Sequence, residues 1–97
     1  MREAQSAMIT FDDCLAFCDL TEEEIDAIAE HEHLPKTVAL EMGSHLIRGP
    51  EGEVRIQRII LEDISAAHQR GDLVHAARLK ETLRRFVEQH PACIVTG

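Results

Sequence analysis

From residue 22 to residue 89 the apolar side chains return every three or four positions, and proline or glycine breaks the pattern near residues 35, 49–52 and 71. That period belongs to helices packed along one side, with the breaks as their turns. Thr21-Glu22-Glu23-Glu24 reads as a capping box, with the Thr21 hydroxyl accepting from the Glu24 backbone while the Glu24 carboxylate reaches back. The helix it opens runs through Ile25, Ile28 and Ala29 to about His33, where Leu34 and Pro35 end it. Pro35 suits the first turn of a further helix over 35–47, with Val38, Ala39, Met42 and Leu46 as the buried face and Gly43 as a point of close approach.

Arg48-Gly-Pro-Glu-Gly52 reads as a loop. A long helix follows over about 53–69, with Ile56, Ile60, Ile64 and Ala67 in register and Ile59 and Leu61 widening the stripe. Gly71 stops it and Asp72 caps another over about 73–89, where Ala76, Leu79, Leu83 and Phe86 repeat like a coiled-coil seam. Upstream, Phe11, Cys14, Leu15 and Cys18 fall at i, i+3, i+4 and i+7 behind Thr10, which predicts a short helix over 10–18.

The prediction is therefore all-α: a small bundle of four to five helices built on a C-terminal αα-hairpin of about 53–69 and 73–89. Its core must come from Leu, Ile, Val and Ala, because Phe11, Phe17 and Phe86 are the only aromatic residues among the 97. Residues 1–9 have no period and are expected to be disordered, 10–90 form one helical domain, and 91–97 form a short tail. The stretch RGDLVHAARLKETLRRF resembles the interior of a tetratricopeptide unit, in which a Gly-Asp turn leads into a helix with small residues at its crossing. No second copy lies about 34 residues away, so the resemblance reaches no further than the packing of one hairpin.

Charge divides the chain. Residues 1–53 hold 13 acids against 3 Lys or Arg, and residues 54–97 hold 5 against 7, for a net −8 overall. Basic helices set against acidic ones, within the chain or across a dimer, satisfy that asymmetry, whereas an acidic protein meets repulsion on nucleic acid. The three cysteines are odd in number and too few for a disulfide scaffold, which points to a reducing cytoplasm. No apolar run approaches the length needed to span a bilayer.

Three chemistries compete for the functional residues. A metal-binding or redox-responsive module would use Cys14, Cys18, Glu30, His33 and His45: Cys14 and Cys18 share a helical turn, and Glu30-x-x-His33 is half of a di-iron motif. Only half is present, and His31 and His33 diverge by about 200° on a helix, so AEHEHLPK at 29–36 also reads as a helix terminus with its favoured imidazoles. A helix-turn-helix would use 35–47 as its reading helix, with Lys36, Thr37, Ser44, His45 and Arg48 against the repelling Glu41. No nucleophile elbow, phosphate loop or dinucleotide fingerprint is present, so neither an enzyme nor a cofactor is expected. The leading expectation is a non-enzymatic protein–protein interaction or regulatory module acting through a helical surface, as a homodimer buried along the 53–89 stripe. Its candidate contacts are the basic positions Arg78, Lys80, Arg84 and Arg85 and the acidic positions Glu22, Glu23 and Asp26, with Glu30 extending the acidic stripe.

Overall fold

The computed structural model describes Leu15 and residues 19–90. Residues 19–90 form four helices, α1 (Glu22–Glu32), α2 (Lys36–Leu46), α3 (Pro50–Arg70) and α4 (Leu73–Gln89), with no strand among the described residues. This is the expected all-α bundle. Of the predicted 10–18 helix only Leu15 is described, partly buried against the core. Cys14, Cys18 and Cys93, the 1–9 segment and the 91–97 tail lie outside the described residues.

Local chemistry sets the helix ends. The capping box at α1 is formed on both sides: Thr21 N–H donates to Glu24 Oε1 at 2.9 Å, and Glu24 N–H donates to Thr21 Oγ1 at 3.3 Å. The far end of α1 turns left-handed at His33, with φ of 58°, while Leu34 N–H reaches back to the Ala29 carbonyl. That position normally favours glycine or asparagine. Gly71 plays the same part after α3, with φ of 77°, its N–H donating to His68 and that of Asp72 to Ala67. Asp72 Oδ1 then accepts from His75 N–H to start α4.

The segment 48–52 departs from the expected loop. Helix α3 begins at Pro50, the first helical position, where proline's missing N–H leaves no helical bond unmade. Gly52 therefore lies inside the helix, and a Cβ there would come within 1.7 Å of the Leu46 carbonyl oxygen. Glycine lets the first turn of α3 rest on the backbone of the last turn of α2.

Helices α3 and α4 share the most extensive interface, α1 lies against α2 and α3, and its contact with α4 is slighter. The core joins Leu20, Ile25 and Ile28 to Ala39 and Leu40, then to Ile56, Ile59, Ile60, Ile64 and Ala67 of α3 and Ala76, Leu79 and Phe86 of α4. Gly43 is the expected close approach, since a Cβ there would sit 2.7 Å from Leu20 Cδ1 and 3.1 Å from Ile25 Cδ1 and Ile28 Cδ1. Two assignments of the buried face need correction: Val38 is 42% exposed and Leu61 is 47% exposed. The stripe on α2 centres on Ala39, Leu40 and Gly43, and Val38 stands about 100° back from Ala39, beyond its edge.

Candidate functional site

An open groove runs between α1 and α4. Two adjoining hollows of about 380 and 180 Å³ form it, sharing Glu23, Arg78 and Thr82. The floor is small and largely apolar, with Ala27, Leu79 and Thr82 buried; the Thr82 hydroxyl is turned back onto the Arg78 carbonyl at 3.0 Å. One wall is acidic, with Glu23, Asp26 and Glu30 from α1, and the other carries Arg78, Arg85 and His75 from α4, together with Glu81. These two walls are the asymmetry of the sequence brought to one face. Among the described residues Glu23 and Arg78 form no ion pair with each other, although they line both hollows.

Except for Lys80, the other candidate contacts are already engaged. Glu22 and Asp26 both hold Lys36 at the start of α2, Asp26 at 3.2 Å. Arg84 pairs with Glu81 and Glu88, and Arg85 with Glu81. Hydrogen bonds from Arg84 hold the Glu81 carboxyl below its ordinary value. Lys80 is exposed on α4 and does not line the groove.

Two histidine clasps tie α1 to its neighbours, one in the groove and one in a separate hollow between α1 and α3. His75 Nε2 lies 2.7 Å from Glu30 Oε1, tying α4 to α1, and Arg70 reaches the same carboxylate at 3.8 Å. His31 of α1 lies 2.6 Å from Glu62 Oε1 on α3 and 2.9 Å from Glu32 Oε2. Carboxylates only accept, so both nitrogens of His31 must carry protons for both contacts to be hydrogen bonds. Burial draws the His31 pKa down, but the bonds to Glu62 and Glu32 outweigh it and raise the value.

Behind the clasps lies Asp63, 4% exposed, whose Oδ2 has no hydrogen-bond partner among the described residues. Burial pushes its carboxyl up to about 7, the Glu30 charge adds to this, and His31 and His75 oppose it. The carboxyl stands on α3 and feels charges from both α1 and α4. A second buried polar group stands at the far end of the core. His90 Nδ1 lies 3.5 Å from Glu53 Oε2, its ring is 4.5 Å from that of Phe86, and burial raises the nearby Glu24 carboxyl against the pull of Thr21 and His90.

Sequence reasoning passes over both polar groups. Asp63 is legible in principle, since it falls on the apolar stripe between Ile60 and Ala67. His75 flanks the Gly71-Asp72 turn opposite His68, yet it holds Glu30, because that turn brings the start of α4 beside the end of α1. The described metal candidates do not converge: Glu30 serves His75 and Arg70, His33 is an exposed helix cap, and His45 is exposed on α2. No group of three or more His, Cys, Asp or Glu among the described residues is arranged to hold a metal ion. On the expected reading helix of a helix-turn-helix, Lys36 is held by Glu22 and Asp26 of α1. No helix among the described residues is long and apolar enough to cross a membrane. No protein-family model matches the chain, and no curated protein or solved structure is significantly similar to it.

Proposed function

We propose that the chain is a small interaction or regulatory protein, not an enzyme, that works by presenting its α1–α4 face to a protein partner. One observation carries this reading: Glu23 and Arg78 stand on opposite walls of an open groove without pairing, so charges of both signs remain available to a ligand. A groove of this kind suits a protein surface carrying both signs. It does not suit nucleic acid, whose phosphates the α1 wall repels, nor a small molecule, which prefers an enclosed and mainly apolar pocket. We also place the protein in the cytoplasm, on its odd and sparse cysteines.

The test is site-specific photocrosslinking in cells, with the reactive residue at Arg85 in the groove or at Glu41, exposed on α2. Adducts of defined mass from position 85 and none from position 41 are expected. Equal adducts from both, or none from position 85, would remove this face from consideration.

A further inference from the structure

We infer that the occupant of the α1–α4 groove is a second copy of the same chain, set face to face about a two-fold axis that runs along the groove; this rests on the reading of that face as the interaction surface. Rotation about such an axis carries each wall over the opposite one. The unpaired Glu23 on α1 of each copy then lies over the unpaired Arg78 on α4 of the other, while Glu81 on that wall is already held by Arg84 and Arg85, so both halves of the contact are attractive. A two-fold axis across the groove would instead stack α1 on α1 and α4 on α4, with like charges opposed. A face with one acidic and one basic wall is thus its own complement in one orientation and its own antagonist in the other. Two-fold closure is also the commonest form of association between identical chains.

The register is fixed as well. Rotation about the groove axis keeps every residue at its own level along it, and Glu23 stands across from Arg78 where the two hollows join, since both residues line both hollows. Glu23 of one copy therefore meets Arg78 of the other, twice per dimer. The small floor of Ala27, Leu79 and Thr82 allows the walls to approach. Val74, 67% exposed and one helical turn before Arg78, extends the basic wall with an apolar contact.

This dimer differs from the one that the apolar stripe on residues 53–69 predicts. Ile56, Ile59, Ile60 and Ile64 are buried within one chain, and only Leu61 is left out, so the hairpin does not call for a second copy. The net charge of −8 on each copy opposes association at long range. At physiological ionic strength that repulsion is screened beyond about 8 Å, while the facing walls act inside that distance.

The experiment is sedimentation velocity of the full reduced chain over a wide concentration range, with E23R, R78E, the double variant E23R/R78E, and K80E. Positions 23, 78 and 80 are exposed, and circular-dichroism melts verify that each variant folds. We expect wild type and K80E to dimerise, and E23R and R78E each to associate at least tenfold more weakly. An equimolar mixture of E23R and R78E should recover the dimer, because position 23 of each copy then faces a residue of opposite charge at position 78 of the other. The double variant should recover it too. A monomeric wild type, unaffected single variants, or a mixture that stays monomeric would each overturn the inference. A monomeric wild type that still gives an adduct to another protein from position 85 overturns the homodimer and leaves the interaction reading standing; a monomer with no such adduct overturns both.

Discussion

The α3–α4 hairpin and the α1–α2 pair are held by different forces. Between α3 and α4 lie Ile60, Ile64, Ala67, Ala76, Leu79 and Phe86, an apolar seam whose turn is closed by Gly71 in the left-handed region and by the Asp72 cap. The α1–α2 pair leans on devices that need specific partners: the capping box, the Gly43 approach and the Lys36 pairs within it, and the Gly52 approach and the His31 and His75 clasps that join it to the hairpin. Burial is non-directional and insensitive to pH near neutrality, whereas clasps and a buried carboxyl depend on protonation. The hairpin should therefore respond to lost volume, and the seating of α1 to pH and to added Cβ atoms.

The largest effect should come from the hairpin. Phe86 is fully buried and is the one aromatic ring in the described core, so F86A should lower stability by about 4 kcal/mol in urea denaturation. The loss should change little between mildly acidic and mildly alkaline pH. A strongly pH-dependent loss would mean that the His90 ring stacked on Phe86 matters more than the volume.

Asp63 gives the next effect, with the opposite sign. Its folded-state pKa is raised from 3.8 to about 7, so the folded protein binds the proton more tightly than the unfolded chain, and stability falls as pH rises between those values. An asparagine at this position cannot ionise, so the advantage of D63N over wild type should grow from about pH 4, level off above about pH 7 and reach at most about 4 kcal/mol. The raised pKa of His31 has the same sense: its contribution is present below its unfolded value and is lost as pH rises through the higher folded one. A D63N protein whose advantage does not vary with pH would show that Asp63 is charged in the fold and that the clasps neutralise it.

Gly52 probes the junction between the two regions. G52A places a Cβ against the Leu46 backbone, which has no side-chain freedom with which to yield, so a loss of about 2 kcal/mol is expected despite alanine's better helix propensity. If G52A stabilises the protein, α3 begins later than Pro50. The smallest effect is at His33, held at φ of 58°, where H33G should raise stability by about 0.5 kcal/mol by relieving a left-handed residue. A drop in stability would reveal a side-chain role for His33 beyond the cap.

Much of the bundle is legible in the sequence because its signals are local. The capping box at Thr21, the Pro35 turn, Gly71 followed by Asp72, and the Ile56-Ile60-Ile64 stripe each depend on residues within about one or two helical turns of one another. The start of α3 is misplaced by sequence reasoning because the turn residues in RGPEG outweigh Pro50 as a helix opener, and the structure gives Gly52 a packing role instead. Val38 and Leu61 are misassigned because hydrophobicity names a face only to within the breadth of a stripe, while the packing of neighbouring helices decides where it ends. The groove is half visible: the acidic and basic stripes can be read, but not that Glu23 and Arg78 share one face while Glu22 and Asp26 turn to Lys36.

The helices, most of their ends, the apolar stripes and the segregation of charge follow from residues near one another along the chain. The meeting of Glu30 with His75 and of His31 with Glu62, and the burial of Asp63 behind them, arise from the packing of the helices. The reason is physical: the charge state of a carboxyl depends on how much water reaches it and on which charges stand within a few ångströms. Both are set by residues 31 to 45 positions apart, which only the packed helices bring together.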